Sequence, residues 1–274
     1  MKHCAMFTHC FLLKTYAKIN ITLDVVDIRD DGMHLLKSIV SFINVFDTML
    51  INVGEDGPIT FFPSPIENST VHKLKALTGI PFSAIIYKHI PIGRGLGGSS
   101  SNAGGLLGAF VKLGLLDKGE AIAIAPNIGA DVSMYLYKSP LLMEGTGEKI
   151  TPLYNINVPS TLYLVVPDFS SPTPMIYKAW DEKPFYSNYS DMYVQNGTMG
   201  NGLTETFQRV FGIPIGKGMH LTGSGSSMFS LSPPTQIPKH WDIIEISTRK
   251  TGWEMMPYEC KNIHTGRGRS RRMV

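Results

Sequence analysis

Long apolar runs are missing from this chain. No stretch of the 274 residues approaches the ~20 apolar positions a bilayer-crossing helix needs. A helical membrane span is therefore excluded. Cysteine is scarce, with only Cys4, Cys10 and Cys260, an odd number without metal-ligand spacing. That excludes a disulfide scaffold and a paired-cysteine zinc site, and a reduced, cytoplasmic setting is expected. The eight histidines include no His-x-x-x-His pair, so no side-chain metal cluster is expected. Gly-Lys-Ser and Gly-Lys-Thr do not occur, which excludes a Walker A loop. No internal repeat is present, which argues against a solenoid.

Charge is also sparse, at 17% of residues, with a net of +3. The excess lies at the end. Residues 267–274 hold four arginines and no acid, and removing those four from the 25 basic residues leaves 21 against 22 acidic ones. No aromatic residue is interleaved with them, so the basic tail, 261–274, reads as a solvated end and not a nucleic-acid surface. Lys2 followed by residues 4–13 imitates a secretory signal. Thr8 and His9 interrupt it and no small-x-small cleavage site follows, so it reads as a short leader and a first strand.

What is present suits a globular protein, with 43% hydrophobic residues and enough length for one or two domains. Runs rich in Ile, Val and Phe predict strands at about 10–28 and 35–53. A polar connector at 56–70 leads to a short helix near 71–78 and a strand over 82–90. Further strands are predicted at 136–143 and 161–166, and a Ser/Pro loop at 169–174. Residues 181–202 are polar and predict no element.

The most informative stretch is Pro91-Ile92-Gly93-Arg94-Gly95-Leu96-Gly97-Gly98-Ser99-Ser100-Ser101-Asn102-Ala103. Glycines allow close backbone approach to an anion, with N–H groups turned inward. The following segment places Ala103, Leu106, Leu107, Phe110 and Leu113 at helical spacing, so a helix N-terminus adds its partial positive charge. A flexible Gly/Ser linker is the alternative, but linkers are rarely entered from a strand and left through an amphipathic helix. Gly93, Gly95 and Gly98 also satisfy the dinucleotide pattern. That pattern needs an acid near twenty positions on, ending a strand. Asp117 and Glu120 have the distance but follow a helix, which leaves a nicotinamide-dependent oxidoreductase as the lesser reading.

This loop resembles the second motif of the GHMP kinases, Pro-x-Gly-x-Gly-Leu-Gly-Ser/Gly-Ser-Ser-x-Ala. Other motifs follow in family order: Ala17-Lys18-Ile19-Asn20-Ile21, Asp31-Gly32-Met33-His34, Gly129-Ala130-Asp131-Val132, Glu144-Gly145-Thr146-Gly147-Glu148 and Leu221-Thr222-Gly223-Ser224-Gly225. The set is most similar to the branch acting on 4-diphosphocytidyl-2-C-methyl-D-erythritol, over about residues 13–230.

The resemblance implies an α+β, two-lobed fold, with lobes at 1–153 (ATP-binding) and 154–274 and both substrates in the cleft between them. It implies ATP-dependent phosphorylation of the 2-hydroxyl of that cytidine diphosphate compound, in isoprenoid biosynthesis. Homoserine- or mevalonate-type kinases are the alternatives within the family, and a non-catalytic binding protein on the same fold is a third reading.

By resemblance Lys18 and Asp131 form the catalytic pair. A carboxylate can take the proton of an attacking hydroxyl and an ammonium can orient it; a strand lysine and a helix-capping aspartate are the plain alternatives. Asn68, Lys88, Pro91, Gly93, Arg94, Gly95, Leu96, Gly97, Gly98, Ser99, Ser100 and Ser101 match ATP-binding positions. Mg²⁺ is expected on the ATP phosphates. Asn20, Met33, His34, Thr173, Tyr177, Thr222, Gly223 and Gly225 match substrate-binding positions. Four departures stand out. Pro126 interrupts 120–128, a segment the resemblance implies is helical, and should end that helix early, because proline lacks the N–H and clashes with the preceding turn. Met33 replaces a usual tyrosine that stacks on cytosine, Ser133 stands where proline is frequent, and the last forty residues show little likeness.

Overall fold

The computed structural model describes residues 9–258. The leader, Cys4, Cys260 and the basic tail lie outside the described residues. Cys10 is disulfide-bonded, so the expectation of reduced cysteines does not hold there.

The chain opens with β1 (His9–Asn20), β2 (Thr22–Ile28) and β3 (His34–Val53). The first predicted strand is thus two, divided at Ile21. β4 (Ile59–Phe62) interrupts the polar connector, and α1 (Thr70–Thr78) follows. Ser69 caps α1 through a reciprocal box with His72. Next come β5 (Phe82–Tyr87), α2 (Gly98–Lys112) and α3 (Lys118–Ile128).

Asp117 accepts from the Gly119 and Glu120 N–H groups and caps α3. Both acids offered for a ribose are thereby accounted for locally. α3 does not stop at Pro126, contrary to expectation, and runs on to Ile128. Pro126 lies on an exposed face of the last turn, where one missing N–H leaves only a solvent-facing carbonyl. The Gly129 N–H still reaches the Ala125 carbonyl across it at 3.3 Å.

A 3-10 turn at Ser133–Leu136 precedes β6 (Leu141–Gly145), β7 (Lys149–Pro152) and β8 (Thr161–Val166). Then come α4 (Thr173–Glu182), α5 (Tyr189–Asn196), β9 (Gly200–Asn201) and α6 (Thr204–Phe211). The chain ends in β10 (Met219–Leu221), β11 (Met228–Ser230), β12 (Asp242–Arg249) and β13 (Trp253–Pro257). The polar segment 181–202 therefore contains one helix and one short strand, together with the end of α4.

The described strands form one connected sheet with the order β10-β11-β8-β12-β3-β1-β13. β3 is its hub, pairing also with β2, β5 and β6. Helices α1, α2 and α3 bury Val71, Leu74, Leu106, Leu107, Phe110 and Ala125 against Leu13, Met49, Ile51, Phe82 and Ile86 of the sheet. A second core joins Ile176 and Trp180 of α4 and Phe207 of α6 to Val165, Leu221 and Met228. Burying such side chains stabilises by roughly 1.5–3 kcal/mol each. The cleft opens where segments from these two packed regions meet.

Candidate active site

A β-bulge sets the first candidate side chain. The β1/β3 register shifts between Tyr16 and Lys18, and such a bulge re-aims a side chain. The freed Lys18 N–H donates to the Leu96 carbonyl of the glycine loop at 3.0 Å. The Lys18 ammonium donates to Asn20 Oδ1 at 2.7 Å and lies 3.4 Å from Asp131 Oδ2. Both are sheltered, with side chains 6% and 24% exposed. Asn20 is held in turn, donating from Nδ2 to Ser38 Oγ at 2.7 Å and from its backbone N–H to Thr222 Oγ1 at 2.9 Å.

The glycine loop wraps over this pair. Gly97 is the N-cap of α2 at φ +70°, and no side chain caps that end. No acid occupies the first turn either. Its orphan N–H groups and positive dipole end are therefore open to an anion. A Cβ at Gly97 would lie 3.0 Å from Lys18 Cγ and 3.7 Å from Asp131 Oδ2, so the loop and the pair are in direct contact.

The cleft encloses about 770 Å³, within the ordinary range for small-molecule sites. Lys18, Asn20, Met33, His34, Lys88, Asp131, Thr173, Tyr177 and Gly223 line it, with the loop from Pro91 through Ser100. Four expected residues do not. Asn68 faces a neighbouring hollow beside Pro65 and His72. The Ser101 hydroxyl is turned beneath the loop, donating to Thr15 Oγ1 and the Gly98 carbonyl. Thr222 and Gly225 sit behind the wall, the former engaged with Asn20.

Lys88 is anchored. Its ammonium pairs with Asp47 and donates to Asn102 Oδ1 at 2.9 Å and the Gly98 carbonyl at 3.3 Å. Burial lowers its pKa, and Asp47 pulls the other way. Asp47, fully buried, also accepts from the His89 and Ile90 N–H groups at 2.7 and 2.9 Å. It fixes the strand end from which the loop departs. Sequence reading missed Asp47, because a lone acid in an apolar strand carries no local signal.

At the other end His34 Nε2 lies 2.7 Å from Asp181 Oδ1, and the His34 ring lies 4.6 Å from that of Tyr177. Burial raises the Tyr177 pKa, and the Asp131 carboxylate adds to the rise. Asp181 is a second residue that sequence reading missed, brought in from 147 positions away. Met33 is about half exposed, at 48%, at the rim of this aromatic end. Thr173 Oγ1 and Ser224 Oγ are 2.8 Å apart, and Ser171 Oγ donates to the Ser224 carbonyl at 2.7 Å, which ties the start of α4 to the second glycine turn.

Among the described residues, no group of three or more His, Cys, Asp or Glu side chains is placed to hold a metal ion. Ser99 and Ser100 offer hydroxyl oxygens at the mouth of α2, the hard donor type that suits Mg²⁺ beside phosphate oxygens.

A family model described as the GHMP kinases N terminal domain matches residues 67–139. The chain is 30% identical over 253 residues to the 4-diphosphocytidyl-2-C-methyl-D-erythritol kinase of Fervidobacterium nodosum, covering 80% of this chain and 90% of that protein. It is 38% identical over 179 residues to the protein of that name from Thermodesulfovibrio yellowstonii, an alignment spanning 62% of either chain. Among solved structures it is similar to 4-(cytidine 5'-diphospho)-2C-methyl-D-erythritol kinase, with a TM-score of 0.65, 24% identity, and coverage of 82% of this chain and 90% of that one. It also resembles a homoserine kinase from Cytophaga hutchinsonii, with a TM-score of 0.61, 14% identity, and coverage of 93% and 100%. At these identities the structural likeness speaks for the fold.

Proposed function

Because the chain belongs to the 4-diphosphocytidyl-2-C-methyl-D-erythritol kinases of the GHMP family, we propose that it transfers the γ-phosphoryl of ATP to the 2-hydroxyl of that cytidine diphosphate alcohol. The observation that carries this reading is the Lys18–Asp131 pair lying directly under the glycine loop.

Phosphoryl transfer requires an aligned hydroxyl and neutralised charge. An ammonium has three N–H donors. Asn20 takes one and Asp131 a second, which leaves the third for the reacting oxygen. Asp131 accepts the hydroxyl proton as the oxygen bonds to the γ-phosphorus. The bond to the β–γ bridging oxygen breaks and ADP leaves. Lys18 offsets the charge that develops on the attacking oxygen.

The backbone of the loop and the first turn of α2 cradle the ATP phosphates. Mg²⁺ on those phosphates would spread their charge, with Ser99 and Ser100 as oxygen donors. Tyr177 and His34 form the wall for the cytosine, and Met33 closes its rim. An aromatic wall of this kind favours a nucleobase-bearing acceptor over homoserine or mevalonate. We assign the lobes to 1–153 and 154–274, with β12 and β13 returning to the first lobe's sheet, and place the reaction in the cytoplasm.

The test mixes the folded protein with ATP, Mg²⁺ and the cytidine compound, beside homoserine and mevalonate, and follows ADP. Release with the cytidine compound alone is expected. No release above background with it overturns the reading.

A further inference from the structure

Three lysine or arginine side chains line the cleft: Lys18, Lys88 and Arg94. Lys18 is paired with Asp131 and Lys88 with Asp47. Arg94 differs. Its Nε is buried without a hydrogen-bond partner, and its guanidinium makes no ion pair among the described residues. A buried guanidinium N–H left unsatisfied is unfavourable unless an acceptor completes it, and an anion suits the charge best. Two anions enter the proposed reaction, the triphosphate of ATP and the diphosphate of the acceptor.

Placement separates them. The second half of the loop, from Gly97 onward, lies over the Lys18–Asp131 pair and opens α2, whose uncapped N–H groups are the ones assigned above to the ATP phosphates. The first half is laid against the other side of the cleft. The Ser171 N–H donates to the Gly93 carbonyl at 3.0 Å, and the Ser227 N–H to the Arg94 carbonyl at 3.2 Å. A Cβ on Gly95 would run into the Thr222 carbonyl oxygen. The Arg94 backbone therefore sits beside the 170–173 segment, which leads into α4 and Tyr177, and beside the 222–227 turn, which Ser224 ties to Thr173 at the start of α4, on the acceptor's side.

We propose that the Arg94 guanidinium binds the diphosphate of the acceptor and so selects a phosphorylated nucleotide alcohol over an uncharged one. Its backbone remains part of the ATP cradle; the side chain serves the second substrate. The planar fork of arginine suits bidentate contact to a diphosphate, which lysine reproduces only in part. The inference rests on the proposed function.

The experiment fills the ATP site with a non-hydrolysable ATP analogue and titrates cytidine 5′-diphosphate and cytidine by calorimetry. Parent, Arg94→Ala and Arg94→Lys are compared, and thermal melts establish that each is folded. Arg94→Ala should weaken the diphosphate about ten- to a hundredfold, the range for hydrogen bonds to a charged group. Cytidine should stay within twofold, and the ATP analogue, titrated separately, should lose less affinity than the diphosphate. Arg94→Lys should recover part of the loss.

A larger loss for ATP than for the diphosphate overturns the assignment in favour of the triphosphate. Equal losses for cytidine and its diphosphate overturn it too, since Arg94 then only shapes the pocket. Unchanged affinities do the same. A parent that binds neither cytidine ligand overturns the functional reading, and the Arg94 assignment with it.

Discussion

A single methyl group placed on Gly97 should separate the rate of this protein from its stability. Gly97 holds φ +70°, and a Cβ there would meet Lys18 Cγ at 3.0 Å and Cε at 3.2 Å. The left-handed conformation itself costs a non-glycine residue about 1–2 kcal/mol. Carbon contacts are comfortable at about 3.5–4.0 Å, so Gly97→Ala must also move the Lys18 chain by roughly half an ångström or more. That chain carries the 2.7 Å bond to Asn20 and the 3.4 Å approach to Asp131.

Gly114 supplies the control. It has the same φ of +70°, with nothing within 4 Å of its Cβ position. Both alanine variants should lose the backbone term, a fall in Tm of about 2–8 °C for a chain of this size. Only Gly97→Ala should lose turnover, about 10- to 100-fold, because misplacing a reacting group by about an ångström has that effect. Thermal melts and ADP release on the two variants are the assay. Turnover of Gly97→Ala within threefold of Gly114→Ala refutes the claim that the loop sets the position of Lys18.

Asp131→Asn should keep ATP affinity, read by calorimetry, within a few-fold while turnover falls about 10²–10⁴-fold; near-parental turnover removes Asp131 as the base. Tyr177→Ala should raise the KM for the cytidine substrate at saturating ATP, by the several-fold to tenfold that a lost ring contact of about 0.5–1.5 kcal/mol implies. Met33→Tyr should lower that KM, and a rise instead would show that the rim has packed around methionine. His220, whose ring lies 5.3 Å from that of Phe229 at a tilt of 31°, has its imidazole pKa lowered by burial. The folded state thus favours the neutral ring, and this contribution is complete above the unfolded value of about 6.5 and lost as pH falls below it. His220→Gln should therefore show a smaller drop in Tm between about pH 7.5 and about pH 5.5 than the parent; equal drops place the acid sensitivity elsewhere.

Much of the site is local in origin, and the sequence determined that part by itself. Glycines at 93, 95 and 97 take positive φ, and the loop they form runs straight into a helix whose apolar stripe is buried. Neighbouring residues are enough to dictate such a turn and such a stripe. The pairing of Lys18 with Asp131 was legible only through the order of family motifs, since no spacing rule joins residues 113 positions apart.

The tertiary structure alone decided three further matters. α5 has no side-chain cap of its own. Its first N–H groups, Tyr189 at 2.8 Å and Ser190 at 2.8 Å, donate to the buried carboxylate of Asp24 on β2, so a distant acid does the capping that Asn188, a favoured residue type at that position, does not. Asp47 reaches Lys88 across paired strands, and their mutual burial requires both to be present at once. Arg94 is left without a partner because the surrounding segments satisfy its carbonyl and not its side chain. Charge compensation and helix capping across long sequence separations depend on which strands lie side by side, and the packing of the whole chain fixes that order.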